Sequence, residues 1–525
     1  MIGTAIEQQY ADRLAEQYEV LAYHFSKADQ RAKAVEYLFK AGDKAARAFA
    51  NREALGLYQQ LLGLLGGDER TKRAEALKQL ATLSNYLGNA DDSLRYAESG
   101  VELCERLGDE RNAVVLHLHI AMLYGQQWDG GLEDRGLKHL EAAAALVEKG
   151  PDSVEKALVY QRTGHLYLHR SQPTTTLDWA QRAVDMLARL GVSMGTSLGT
   201  ALTYTGRIDE GIAYSEKNWE PVLKGAIPVV MAVMGHELTL TLALARDVPR
   251  ATLWGERVLP QVVKASPTFE AMLMRPLLFA YTLGGDSARA HEACQAIERI
   301  EAKTLLGCIY EDAAAVGFYY LRRGEWDQAS AYLDRAIPRY RDRNNRAALS
   351  ACLLVRGTLH LEQGKLAEAE ELLSRSLDMS RTGGNVLVET WALPTLCEVH
   401  LAMGQAARAA EHLERGFALL DPQRCWYGAP VPLLLAKGLL AAARESWKDA
   451  DQAFESALAL GRQYRLPWEE ARVLYESGSM HLARGLPEER EGASRNCDEA
   501  LEIFQRIGAK KAVEKVLAGK EVRKH

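Results

Sequence analysis

Residues 315–336 read AVGFYYLRRGEWDQASAYLDRA, and their spacing decides the fold. Gly317 is a small residue within one helical run, Tyr320 follows at +3 on the adjoining part of that face, and Gly324 stands at a turn at +7. Ala329 (+12), Leu333 (+16) and Ala336 (+19) share one face of a second helical run. Two antiparallel helices joined by a short turn need a point of close approach, where Gly or Ala lets the backbones come near. Large apolar residues at three- and four-residue spacing fill the groove around it. Glycine at the turn accepts the positive φ that ends the first helix. One such hairpin cannot bury its own apolar face; a second hairpin stacked on it can.

The frame recurs along the chain. Gly357 leads to His360, Gly364, Ala369, Leu373 and Ser376, and Cys397 to His400, Gly404, Ala409, Leu413 and Gly416. Leu278, Gly199, Gly164, Gly438 and Ala22 open further copies. The small residues of the second helices fall at 34, 54, 93, 136, 176, 211, 251, 290, 329, 369, 409, 450 and 500. From 251 to 450 the successive gaps are 39, 39, 40, 40 and 41, a regularity that chance does not produce. The motif resembles that of tetratricopeptide repeats over nearly the whole chain, although the usual period of that family is about 34 residues. The resemblance implies an all-α, tetratricopeptide-type α-solenoid: a right-handed superhelix of about a dozen antiparallel helix pairs, with a closing C-terminal helix.

Three departures matter. The gap of 20 between 34 and 54 predicts a short or irregular second hairpin. Two segments, GQQWDGGLEDRG (125–136) and GLPEEREGASRN (485–496), read as insertions placed in solvent loops. Prolines are few and are expected at helix starts or after helix ends, as at Pro228, Pro260 and Pro467.

The segment from Ile2 to Leu62, IGTAIEQQYADRLAEQYEVLAYHFSKADQRAKAVEYLFKAGDKAARAFANREALGLYQQLL, is the most specific stretch. It resembles the junction that follows the ATPase core in large bacterial proteins joining a class III nucleotidyl cyclase, a STAND (AAA-like) ATPase and a repeat arm. The resemblance implies three parts: an N-terminal helical junction with irregular first repeats (1–64), tandem repeats (65–508) and a capping helix with a basic tail (509–525). The catalytic activities of that family are not carried over. A nucleotide-binding loop needs G-x-x-x-x-G-K-[ST], whose backbone amides cradle phosphate, and that motif does not occur in this sequence. Nor is there a pair of metal-binding carboxylates on a strand, as a cyclase needs.

Composition narrows the classes further. The net charge of −6, with 47% hydrophobic and 26% charged residues, excludes a disordered chain and gives no global attraction to nucleic acid or membrane. No run of 18 apolar residues predicts a membrane span, and the N-terminus lacks the features of a secretion signal. The seven cysteines, at 104, 294, 308, 352, 397, 425 and 497, are dispersed; they read as reduced thiols in small core positions of a cytoplasmic protein. The basic end, with Lys510, Lys511, Lys515, Lys520, Arg523 and Lys524, reads as a solvated helix terminus.

Catalytic and metal motifs are weak. His165 and His169 share a helical face at a spacing that can bind zinc, but no H-E-x-x-H surrounds them and no third ligand is evident. His117 and His119 are two apart and point apart. His236-Glu237 and His291-Glu292 lack a second histidine at the required offset, and no G-x-S-x-G occurs. No cofactor and no enzyme activity are expected; an unrecognised groove enzyme is the remote alternative. In such arrays the first helices line the concave surface. By register, Gln161, His165, His169, Thr200, Tyr204, His236 and Arg275 form the candidate ligand or partner groove. The expected role is protein–protein interaction or ligand sensing in bacterial signal transduction, the occupant being a protein, a peptide or a small effector. The alternatives are a regulatory arm controlling a cyclase or ATPase, and a self-assembling scaffold.

Overall fold

The computed structural model describes residues 2–126, 132–192, 197–220, 228–264, 267–303, 312–342 and 344–522. Among them every regular element is helical. After a short N-terminal helix and a 3-10 segment, the helices pair into twelve antiparallel hairpins, with one unpaired helix near the start and a closing helix, Lys510–Val522. The repeat frame corresponds to contacts. A Cβ on Gly317 would lie 3.0 Å from Leu333, and one on Gly357 2.6 Å from Leu373, so the opening residue of each frame packs on its +16 partner. Ala329, Ala369, Ala409 and Ala450, all at +12, are fully buried. Gly324 and Gly364 end their first helices at φ of +75° and +74°, a left-handed conformation that only glycine takes without strain.

Several local expectations need correction. The 20-residue gap is no short hairpin. It is a single helix, Asn51–Leu64, set between the hairpin ending at Arg47 and the helix Arg70–Tyr86. Gly42 makes room for it, since a Cβ there would meet the Tyr58 ring at 2.8 Å. The segment 485–496 is not a loop. Pro487 opens the helix Pro487–Arg506 straight after the Gly485 turn, with Glu488 and Glu489 in its first turn, where a proline and acidic residues suit the free amides. The extra residues lengthen the helix, and Ala493 and Cys497 are buried on it. Pro260 lies inside the helix Val248–Val262 rather than beyond its end. Of the 125–136 segment, residues 127–131 lie outside the described residues, as do Cys308 and 523–525. The lysines of the closing helix lie at the solvated surface, as expected, where Lys510 and Lys515 are 61% and 59% exposed and make surface ion pairs. Lys510 pairs with Glu325 at 2.8 Å, Lys515 with Glu476 at 3.5 Å, and Lys520 with Asp498.

The superhelix returns onto itself. Gly383 meets the turn at Ser171, Gly206 lies against Trp426 and Val386, and Gly285 abuts Pro467 and Ile507. The Gly428 amide donates to the Ala245 carbonyl at 3.2 Å, and Arg424 pairs at 2.7 Å with Glu210, 214 residues away. One apolar cluster therefore runs from Leu168 to Met480, joining hairpins far apart in sequence. The N-terminal hairpins, from Leu21 to Tyr124, have a cluster of their own. No described helix is long and apolar enough to cross a membrane.

Candidate ligand-binding site between superhelical turns

First helices of successive hairpins, from the one holding Tyr204 to the one holding Arg472, together line one enclosed space. A cavity of about 160 Å³ lies between Tyr204, His236, Arg275 and Phe279 of one turn and Trp391, Trp468 and Glu469 of the next. Phe318 stands between them. Its ring centroid is 5.2 Å from that of Phe279 and 6.0 Å from that of Trp391, and Phe279 lies 5.5 Å from Trp391. Such spacings are favourable for aromatic side chains.

Arg246 clasps the two turns. It is 3% exposed, its guanidinium carbon lies 3.7 Å from the centroid of the Trp391 ring, and its Nη1 donates to Glu469 Oε1 at 2.6 Å across 223 residues of sequence. The Trp391 indole N–H donates to the Leu244 carbonyl at 3.3 Å, fixing the ring. Arg322 donates to the same Glu469 oxygen at 3.4 Å and sits over Phe318 and Trp468. Arg472 makes a two-bond fork with Glu398 at 3.3 and 2.9 Å, a geometry suited to guanidinium and carboxylate. Burial pulls the Arg246 pKa down. Burial likewise pulls Arg322 down to about 10, with Glu469 opposing the shift and Arg246 adding to it. Arg472 is raised: burial acts against its charge, but the carboxylates of Glu398, Glu476 and Glu362 outweigh it.

The candidate groove residues are not on an open surface. Thr200, Tyr204 and Arg275 are buried, and helices from the next turn cover this part of the concave face. Tyr204, His236 and Arg275 line the cavity between the turns. His165, His169, Thr200, Tyr204 and His236 line a smaller one of about 50 Å³ together with Glu237. Gln161 lines neither. His165 and His169 approach at 3.1 Å between their Nε2 atoms. Burial lowers His169 to about 4 and His236 to about 3, and it holds His165 well below the usual range. Burial raises Glu237 to about 8. At neutral pH the small cavity is thus lined by neutral imidazoles and a protonated carboxyl. Among the described residues no group of three or more His, Cys, Asp or Glu side chains is arranged to hold a metal ion. Burial pushes the Cys104 and Cys397 thiols up to about 11 and 12, which suits packing rather than nucleophilic chemistry.

Residues 307–382 match the tetratricopeptide repeat family model. The fold is a tetratricopeptide-type α-solenoid. No curated protein matches the chain in sequence. Among solved structures, a chain of the crystal structure of the APC/C hetero-tetramer Cut9–Hcn1 aligns over 94% of this chain and 99% of its own, at 13% identity and a TM-score of 0.38.

The tetratricopeptide frame also shows which residues the register argument missed. Five residues before each +12 position stands the turn residue: Gly206, Gly285, Gly324, Gly364 and Gly404 have positive φ there. Before Ala251 that place holds Arg246, at φ of +60°. An arginine where neighbouring repeats carry glycine is a signal readable in the sequence. Trp391, Trp468 and Glu469 carried no such signal. They lie on first helices whose facing side only the superhelical return makes an interior.

Proposed function

We propose that the chain is a non-catalytic sensing and interaction arm of bacterial signal transduction, in which a small effector held between superhelical turns sets how tightly the solenoid closes. The observation that carries this reading is the clasp of Arg246, Trp391 and Glu469. The cavity's walls come from two turns, so an occupant that touches both favours the closed form by its differential affinity for it. Closure moves the outer hairpins together and changes the surface offered to a protein partner. The resemblance of residues 2–62 to an ATPase-to-repeat junction points to a nucleotidyl cyclase or STAND-type ATPase as the controlled activity.

Native mass spectrometry of the chain purified from its host tests the sensing role. A small-molecule increment that disappears on denaturation is expected, together with NTP turnover of a co-expressed cyclase or ATPase that depends on this chain. A bare-chain mass with turnover indifferent to the chain would overturn the proposal. Pure scaffolding would appear instead as concentration-dependent association.

A further inference from the structure

We infer that the cavity between the turns takes an uncharged monocyclic aromatic molecule the size of benzene, held among Phe279, Phe318, Trp391 and the alanines Ala315 and Ala351. The inference rests on the sensing reading above for the ligand's role and names the chemical class of that effector.

Protein interiors are close-packed and keep few voids larger than a water molecule. A space of about 160 Å³ is therefore a feature of the fold rather than a packing fault. Two successive first helices help to make it by carrying small residues along its wall: Ala314 and Ala315 on the helix Asp312–Arg323, and Ala347 and Ala351 on the helix Arg346–Glu362. Leu240, Leu244, Ala315, Ala351, Val388 and Trp391 line the cavity and are each only partly covered by protein. An apolar occupant buries surface that the fold itself does not cover, which favours binding.

The charged and polar groups of the wall are already engaged with one another. Arg246 and Arg322 share Glu469 Oε1, and Arg472 forks onto Glu398. Burial and the charge of Arg275 hold His236 neutral. Arg246 Nε, Arg275 Nε, Trp468 Nε1 and Glu469 Oε2 are covered by neighbouring protein atoms, so an occupant cannot reach them. Trp391 gives its N–H to the Leu244 carbonyl, Thr358 and Thr395 donate to carbonyls of their own helices, and Asn385 caps its helix at Val388. Glu362 lines the cavity from an exposed position, where water solvates it. An ionised occupant would lose its hydration and gain no partner in return.

Size and ring geometry narrow the class. The volume of about 160 Å³ is close to the roughly 150 Å³ of an apolar cavity that holds benzene, so one ring fits without a head group. Three aromatic rings meet at 5.2, 5.5 and 6.0 Å and offer faces and edges to a fourth, which favours an aromatic over a saturated ring.

Isothermal titration of the full chain with benzene, cyclohexane, benzoate and benzylamine separates these parts. Benzene is expected to bind about threefold or more tightly than cyclohexane, the scale of one aromatic pair. It should bind about a hundredfold or more tightly than benzoate or benzylamine, each of which brings a charge to the apolar wall. Ala351→Leu puts a larger side chain on that wall and should weaken benzene about tenfold or more, with helical circular dichroism unchanged. Cyclohexane binding as tightly as benzene overturns the aromatic class, and benzoate or benzylamine doing so overturns the uncharged class. A folded Ala351→Leu chain that binds benzene like the native one overturns the site; should that variant not fold, the four probes on the native chain decide. Silence from all four probes beside a native-mass increment overturns the ligand class alone. Silence with no increment overturns the sensing role as well.

Discussion

Arg246 occupies a left-handed backbone position that costs a residue with a Cβ about 1–2 kcal/mol. Glycine fills the same turn position in most neighbouring repeats. Breaking a buried ion pair costs about 3–5 kcal/mol, so Arg246→Gly, which relieves the strain but removes the clasp, should lose about 1–4 kcal/mol net by urea denaturation. Glu445 has the same conformation, at φ of +59°, but is exposed. Glu445→Gly should therefore be neutral or stabilise by up to about 1 kcal/mol. Equal losses in the two variants would mean that the clasp contributes nothing.

The histidine cavity makes a second residue-scale prediction. His169 and His236 are depressed to about 4 and 3 from an ordinary 6.5, so the stability they contribute is present above pH 6.5 and is lost as pH falls toward those values. Glu237 is raised from 4.5 to about 8; its contribution is present below pH 4.5 and is lost as pH rises through about 8. Arg162 and Arg275 are the cations acting on these groups. The urea midpoint should fall on either side of about pH 6.5. His169→Gln should flatten the acid limb and Glu237→Gln the alkaline limb, and limbs unmoved by either change would rule out this origin.

At the scale of the element, the repeat frame is a packing rule. Ala409 and Ala450 are fully buried on second helices, and Leu at either position should overpack the helix crossing and cost about 1–3 kcal/mol in denaturant titrations. A change within a few tenths of a kcal/mol would mean that the crossing lies elsewhere. Helix type, turn glycines and hairpin order were legible because each depends on residues within one repeat. The misread elements are those where one repeat admits two answers. Taking Ala500 as the counterpart of Ala450 turned a longer helix into an apparent loop, although Ala493 is the first alanine buried on that helix. The 20-residue gap left open whether one helix or two fills it.

At the scale of the whole molecule, closure depends on turns that approach without side chains between them. A Cβ on Gly383 would collide with the Ser171 carbonyl oxygen. Gly383→Val should thus wedge the two turns apart. Small-angle scattering should report a larger radius of gyration while the helical circular dichroism is unchanged. An unaltered radius would mean that the return contact does not hold the molecule closed.

By itself the sequence determined the helices, their pairing and the alternation that turns first helices toward the axis, since these follow from small residues and glycines at fixed offsets within a repeat of about 40 residues. It also brought His165, His169, Thr200, Tyr204, His236 and Arg275 under consideration, because each lies on the unpacked side of a first helix. What only the tertiary structure decided is that this side is an interior. Superhelical pitch sums small rotations over many hairpins, and no single repeat encodes the sum. The meeting of Arg246 with Glu469, 223 residues apart, and the cavity between them follow from that sum.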